Sequence, residues 1–151
     1  MPISLLVASP DLHFREMIRE SLLNVANATL IAEFPEIALN LYIRVLHELE
    51  RHPHAALILD LSGDTEGVLK ALEKVKQAAP DLYVIASHYS ADPETVIACM
   101  RGGAQEFLTQ PLRVEDLLAP LGRISERRFG RGDKRPRGSQ VIAVAGAPGG
   151  V

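Results

Sequence analysis

The residues His54-Ala55-Ala56-Leu57-Ile58-Leu59-Asp60 decide the fold of this chain. They form an unbroken run of small and branched apolar residues, too short for a typical helix, that ends on a carboxylate and is followed by the turn-forming Ser62-Gly63-Asp64. Such a run predicts a strand buried on both faces of a sheet. Ligands of open α/β sheets bind in the crevice beyond the carboxyl ends of the strands, so Asp60 is placed where a functional site would lie.

The same unit of apolar run, turn and helical pattern recurs along the first 125 residues. Ile3 to Ala8 predicts a strand, and the next two residues predict a helix with Ser9 as its cap and Pro10 at its first position. Ala28 to Phe34 predicts a second strand, and the apolar residues from Ile37 to Leu49 repeat with helical period. Further strands are expected over Leu82 to Ala86 and Glu106 to Thr109, with helices over 68–79, 96–100 and 114–124. Five strands alternating with five helices predict an α/β fold, a doubly wound parallel sheet with helices on both faces.

The composition indicates an ordinary soluble protein. The 151 residues are 47% hydrophobic and 23% charged, with a formal net charge of -3. Cys99 is the only cysteine, which excludes an intramolecular disulfide and favours a reducing compartment. No apolar run approaches the roughly 20 residues of a membrane-spanning helix. We therefore expect a cytoplasmic protein without a membrane span.

The last 26 residues differ from the rest of the chain in charge and pattern. Residues 126–139 lose the helical period and hold six Lys or Arg, which predicts a basic flexible linker. Nucleic-acid binding by this segment is the less favoured interpretation, because aromatic residues are not interleaved with the basic ones. At residues 140–151, the strand-like Val141 to Ala145 and the glycine-rich Gly146 to Val151 predict either the start of another domain or a tail.

Residues 1–125 resemble the receiver domains of two-component response regulators. The resemblance is carried by Asp60 at the end of the third strand, a hydroxyl at Ser87 near the end of the fourth, and the stretch Gly103 to Leu112, which is similar to the family's "GA..(Y/F)L.KP". It implies a flavodoxin- or CheY-like fold with (βα)5 order. It also implies that Asp60 is the phosphoacceptor and that Ser87 or His88 is at the switch position.

Three positions depart from the receiver pattern. The acidic pair that binds Mg²⁺ in receivers falls on Ser9 and Pro10, and the lysine that contacts the phosphoryl group falls on Gln110. Phosphoryl transfer concentrates negative charge that cations must offset, so these departures predict a degenerate receiver without catalysis. Asp11 and Asp64 are weak alternatives as metal ligands. We expect Mg²⁺ only if Asp60 is phosphorylated, and no other cofactor.

A second resemblance is to CpaE/TadZ-type proteins, the ParA/MinD-like ATPases of Tad (Flp) pilus assembly. It is carried by the succession of receiver-like domain, basic linker and Ala145 to Val151, and by Gln105 to Leu112, which is similar to "(R)EFLTKP". Pro148 occupies the position of the early signature lysine of the ATPase loop, so this chain alone is not expected to bind or hydrolyse ATP. The resemblance implies a protein-interaction or localisation module of a pilus or secretion ATPase, recruited to the inner-membrane assembly site. The alternative is a phospho-accepting response regulator that uses Asp60.

The receiver resemblance also implies a partner surface formed by the fourth helix, the fifth strand and the fifth helix. Such a surface needs only packing and charge complementarity, so it survives the loss of phosphorylation chemistry. Its expected occupants are proteins of the pilus or secretion machinery, or a second copy of the chain. The candidate residues are Val96, Met100, Phe107, Thr109, Leu117 and Leu121.

Overall fold

The computed structural model describes residues 2–127, so the predicted linker beyond Arg127 and the predicted domain start at 140–151 lie outside the described residues. Five strands alternate with five helices. The strands are β1 (Ile3–Ala8), β2 (Ala28–Phe34), β3 (Ala56–Asp60), β4 (Tyr83–His88) and β5 (Glu106–Thr109). The helices are α1 (Leu12–Leu23), α2 (Leu41–Arg51), α3 (Thr65–Ala78), α4 (Pro93–Arg101) and α5 (Val114–Ser125).

All strand pairs are parallel, and the sheet order is β2-β1-β3-β4-β5. The predicted doubly wound (βα)5 fold is confirmed. β3 lies at the centre of the sheet, and all five of its residues are buried. Because consecutive side chains point to opposite faces, β3 contributes to two core layers. Ala56 and Ile58 pack with α1 and α5, whereas Leu57 and Leu59 pack with α2, α3 and α4.

Helix α1 begins differently from the sequence prediction. Its cap is Asp11, whose Oδ1 accepts a hydrogen bond from the backbone N–H of His13 at 2.9 Å, and Pro10 precedes the helix. The expected cap, Ser9, is buried below the helix start, and its hydroxyl donates to Asp60. The Ser9 side chain therefore bonds a residue on another strand, and does not cap α1 as the local pattern predicted.

Helix α2 begins at Leu41, four residues after the predicted start at Ile37. The segment before it is an irregular turn, in which the N–H of Leu41 bonds the carbonyl of Ala38 at 2.9 Å. Ile37 nevertheless packs against the core from this turn. The apolar period thus continues through residues that are not helical, which is why the pattern predicted too long a helix.

Within residues 2–127, the helices are all too short or too polar to cross a lipid bilayer.

Candidate functional site

Four polar side chains meet at the carboxyl edge of the sheet. Ser9 follows β1, Asp60 ends β3, Ser87 lies near the end of β4, and Gln110 follows β5. Each is two residues beyond an apolar residue of the layer that packs with α1 and α5, so all four side chains face that side. They are at most 5% exposed. The topology therefore brings together residues up to 101 positions apart in the sequence.

Asp60 is the centre of this group and is 2% exposed. Its Oδ2 accepts a hydrogen bond from the Ser9 hydroxyl at 2.6 Å. Its Oδ1 accepts two more, from the Gln110 side-chain amide at 2.8 Å and from the backbone N–H of Ser62 at 2.9 Å. All three donors are neutral groups. The carboxylate is held by hydrogen bonds alone, without a directly paired cation among the residues that the structure describes.

Ser9 is itself fixed by two neighbours. Its hydroxyl oxygen accepts a hydrogen bond from the backbone N–H of Asp11 at 3.0 Å while the hydroxyl proton goes to Asp60. Its carbonyl accepts one from the Arg15 guanidinium at 2.7 Å. Arg15 also pairs with Glu33 on β2 at 3.3 Å. Arg15 is therefore used on a backbone carbonyl and on another carboxylate. The sequence does not indicate this role, because its partners lie at the ends of separate strands.

Gln110 is held by its backbone as well as its side chain. Its N–H donates to the carbonyl of His88 at 2.9 Å, which continues the β4–β5 pairing by one residue, and its peptide bond to Pro111 is cis. The side chain then points back across the sheet to Asp60. Gln110 occupies the lysine position of the receiver pattern, and it supplies a neutral amide where that pattern has an ammonium.

Ser87 and His88 occupy different sides of the sheet. In the β3–β4 pairing Ser87 lies directly opposite Asp60, and it is fully buried. Its Oγ has no hydrogen-bond partner within the described part of the chain. His88 points to the other layer, where its Nε2 lies 2.9 Å from the Thr65 hydroxyl. Ser87 is therefore the hydroxyl beside Asp60, and the role of either residue as a switch stays a prediction.

The residues at this edge do not fit Mg²⁺. Asp11 caps α1, and Asp64 caps α3 by accepting from the N–H of Gly67 at 3.1 Å, so both weak candidates bond their own helices. Residues 2–127 contain no group of three or more His, Cys, Asp or Glu side chains arranged to hold a metal ion. A hard divalent cation prefers several carboxylate or carbonyl oxygens, whereas Asp60 faces hydroxyl and amide donors.

The predicted partner surface is only partly exposed. Leu117 and Leu121 are at most 3% exposed and belong to the core layer with α1, so their assignment to a partner surface is wrong. The cause is that the apolar stripe of α5 packs on the sheet. Val96 and Phe107 are half-buried. The exposed members of this surface are Met100 and Thr109, together with Ile97 and Leu118, which lie in its predicted fourth and fifth helices but are not among the six candidate residues.

A second buried carboxylate, Glu106, lies at the amino end of β5 and is 9% exposed. It accepts hydrogen bonds from the Tyr83 hydroxyl and from the Arg123 guanidinium, including one from Arg123 Nη2 at 2.9 Å. Burial alone raises the pKa of Glu106, but the hydrogen bonds and the charge of Arg123 outweigh it, so the pKa is lowered from its ordinary 4.5. Burial, and then the bond to Glu106, raise the pKa of Tyr83 to about 12. This cluster was not predicted, because nothing in a four-residue strand marks its glutamate as buried.

Comparison with known proteins places the fold. The sequence matches no protein-family model and no curated protein. Among solved structures, a pilus assembly protein (CpaE) from Burkholderia thailandensis aligns with a TM-score of 0.70 and 23% identity over 82% of this chain and 98% of its own. A CheY-like protein (TadZ) from Pseudomonas aeruginosa aligns with a TM-score of 0.65 and 20% identity, over 81% and 98%. The isolated receiver (REC) domain of RcsB from Salmonella enterica aligns with a TM-score of 0.67 and 22% identity, over 83% and 90%.

The similar structures include both pilus assembly proteins and response-regulator receivers. Identities of 20% to 23% make this a likeness of fold. The described residues therefore have the CheY-like receiver fold, in the form also adopted by CpaE and TadZ.

Proposed function

We propose that this chain is a receiver-like protein-interaction module that works without phosphorylation, as part of a pilus assembly protein of the CpaE/TadZ type. The observation that carries the proposal is the hydrogen-bonding of Asp60. Its two carboxylate oxygens accept three bonds from Ser9, Ser62 and Gln110, and the side chain is 2% exposed. In this arrangement the carboxylate joins β1, β3 and the β5–α5 loop, which is a structural role.

Electrostatics support the same interpretation. A phosphoryl group on Asp60 would bring further negative charge into a buried site, and such charge is stable only beside cations or a metal ion. Ser9 and Gln110 are uncharged at the positions where receivers have an acid and a lysine. Arg15 is engaged with the Ser9 carbonyl and Glu33. The site thus favours an unmodified carboxylate, and no catalytic role is proposed for it.

The surface around α4 supports an interaction role. Ile97 and Met100, about one helical turn apart on α4, are 48% and 44% exposed, and Thr109 is exposed on β5. Leu118, 53% exposed, lies on α5, which packs on the opposite face of the sheet. Apolar side chains exposed together are typical of protein–protein contact sites. Because the fold is also that of CpaE and TadZ, we place the partner in the machinery of pilus assembly or secretion, with a second copy of the chain as a further candidate.

The remaining parts of the proposal concern the whole protein. A ParA/MinD-like ATPase follows the basic linker, and the module directs it from the cytoplasm to the assembly site at the inner membrane. The module itself has no enzymatic activity. The exposed apolar surface, rather than the Asp60 site, carries the recognition.

The test compares substitutions at the two sites in the full-length protein in its own host. Asp60→Asn removes the phosphoacceptor and keeps an oxygen for Ser62 and Gln110, so we expect wild-type pilus assembly. Met100→Glu places a charge on the exposed apolar surface, so we expect assembly to fail. Leu23→Glu, at a residue 80% exposed at the end of α1, is the matched control and leaves assembly intact. Loss of pili in a folded Asp60→Asn variant, or normal pili with Met100→Glu, contradicts the proposal.

One observation favours phosphorylation of Asp60 as the second candidate function. Ser87 Oγ lies on the strand beside Asp60, is fully buried, and lacks a partner within residues 2–127. A hydroxyl in this position is free to bond a phosphoryl oxygen. Phosphoryl transfer to the isolated domain from acetyl phosphate separates the two candidates.

A further inference from the structure

His88 bonds three different segments at the carboxyl edge of the sheet. Its Nδ1 accepts a hydrogen bond from the backbone N–H of Ser90 at 2.8 Å, in the loop between β4 and α4. Its Nε2 lies 2.9 Å from the hydroxyl of Thr65, the first residue of α3. Its carbonyl accepts the N–H of Gln110 at 2.9 Å, after β5. The half-buried residue is thus a junction between elements that are distant in sequence.

The hydrogen-bond roles around the ring fix its protonation state. A backbone N–H can only donate, so Nδ1 must carry a lone pair to accept from Ser90. The Thr65 hydroxyl donates its hydrogen to the carbonyl of Leu61 at 2.9 Å, so the hydroxyl oxygen can only accept from Nε2–H of His88. Both ends of the ring independently require the neutral Nε2–H tautomer. A protonated imidazole carries a hydrogen on Nδ1 and cannot keep the bond to Ser90.

We propose that His88 is a proton-operated latch on the loop that leads into α4. In its neutral form the ring holds the N–H of Ser90. When a proton binds at Nδ1, two N–H groups face each other, the bond is lost, and the loop from Tyr89 to Asp92 is released. The Nε2–H bond to Thr65 is unaffected, so the ring stays attached to α3 while the loop opens.

The elements next to His88 carry three carboxylates and one arginine. One ends the neighbouring strand, one caps α3, and one caps α4, whereas the loop after β5 contributes an arginine that already pairs with Asp116 at 3.9 Å. Asp60 faces the other side of the sheet from the ring and is bonded there. Asp64 accepts from the Gly67 N–H, and Asp92 accepts from the Ser90 hydroxyl. The charged groups on these elements are Asp60, Asp64, Asp92 and Arg113.

The released loop leads directly into the helix with exposed apolar residues. Ser90 Oγ bonds the carboxylate of Asp92 at 2.6 Å, and Asp92 is the cap of α4. Ile97 and Met100 follow on that helix and are 48% and 44% exposed. Opening the latch frees the amino end of α4, and the position of this apolar surface then depends on pH. The inference stands on the geometry of His88 and does not require the proposed role in pilus assembly.

Nuclear magnetic resonance of the ¹⁵N-labelled protein tests the latch directly. Long-range ¹H–¹⁵N spectra at about pH 7.5 should show the Nε2–H tautomer for His88, and the same spectra recorded down to about pH 5 follow the binding of a second proton at Nδ1. Over the same pH range, hydrogen exchange of the Ser90 amide, corrected for the intrinsic pH dependence of exchange, should become faster by about tenfold, the loss expected for one hydrogen bond.

Two variants keep the test decisive. In His88→Asn a side-chain oxygen accepts from Ser90 and does not titrate, so the exchange of Ser90 should be the same at both pH values. In Thr65→Val the Nε2 partner is removed, and the Ser90 bond and its pH dependence should remain. An Nδ1–H tautomer at neutral pH, a ring that stays neutral at about pH 5, or an equal change of Ser90 exchange in His88→Asn overturns the proposal.

Discussion

The two buried carboxylates of the sheet are stabilised in opposite ways. Glu106, at the amino edge, receives the guanidinium of Arg123 and the hydroxyl of Tyr83. Asp60, at the carboxyl edge, receives a hydroxyl, a side-chain amide and a backbone N–H, all of them neutral. At the edge where receivers carry out phosphoryl chemistry, residues 2–127 give Asp60 no charged partner of the kind that Arg123 gives Glu106.

Glu106 is therefore one member of an ion pair, whereas Asp60 is a hydrogen-bond acceptor for neutral donors. An ion pair such as Glu106–Arg123 depends on the charge of both members and therefore on pH. A carboxylate held by neutral donors acts chiefly as an acceptor, because removing it leaves the donors buried without partners. Replacing Asp60 by a neutral acceptor of the same shape should thus change the free energy of unfolding little. Removing the charge of Glu106 should lower it.

The largest expected effect is that of Asp60→Leu. This change leaves the Ser9 hydroxyl, the Ser62 N–H and the Gln110 amide without an acceptor, so we expect the free energy of unfolding to fall by about 3 kcal/mol. Asp60→Asn keeps one oxygen for Ser62 and Gln110, and its new amide can donate to Ser9. We expect it to lie within about 1 kcal/mol of wild type in urea unfolding. Equal destabilisation by Asn and Leu would show that the charge, and not the acceptor, is what Asp60 contributes.

A smaller effect is expected from the pH dependence of the Glu106 cluster. Because the pKa of Glu106 in the folded protein is below 4.5, its stabilisation is present above that pH and is lost as the pH falls through the folded-state pKa. The pKa of Tyr83 is raised from 10.0 to about 12, so its contribution is present below pH 10 and is lost as the pH rises toward 12. Urea unfolding across this pH range measures both losses.

Substitutions assign the two losses of stability to their residues. Glu106→Gln should remove the loss of stability on the acid side, because the amide does not titrate and makes no ion pair with Arg123. Tyr83→Phe should remove the loss on the alkaline side and leave the acid side in place. An acid-side loss of unchanged size in Glu106→Gln would mean that other carboxylates dominate, and the contrast drawn between Glu106 and Asp60 would then fail.

Much of the fold could be predicted because its determinants are local. The apolar run before Asp60 and the alternation of strand and helix patterns identified all five strands and their parallel arrangement. The errors occurred where tertiary contacts override local pattern. Ser9 donates to Asp60 instead of capping α1, and Ile37 packs on the core from a turn. Leu117 and Leu121 were assigned to a surface because the resemblance fixes the helix but not which of its faces is exposed.

The residues of the Asp60 site could be predicted from the sequence, but their hydrogen bonds could not. The sequence showed that Ser9 and Gln110 are uncharged where receivers have charged residues. It did not show that both bond Asp60, since these partners lie 51 and 50 residues away along the chain. Thr65 and Arg15 gave no signal, because a threonine at a helix start and an arginine on a helix are common in any sequence.

Phosphoryl transfer is the measurement that most directly tests the central claim, that Asp60 is a structural acceptor. The domain is incubated with Mg²⁺ and acetyl phosphate, and its intact mass is compared with that of Asp60→Asn. A variant with Ser9→Asp, Pro10→Asp and Gln110→Lys, which restores the receiver charges, serves as the matched control and should gain the mass of one phosphoryl group. We predict no gain for the wild type. A phosphoryl group on the wild-type domain that is absent from Asp60→Asn would contradict the account.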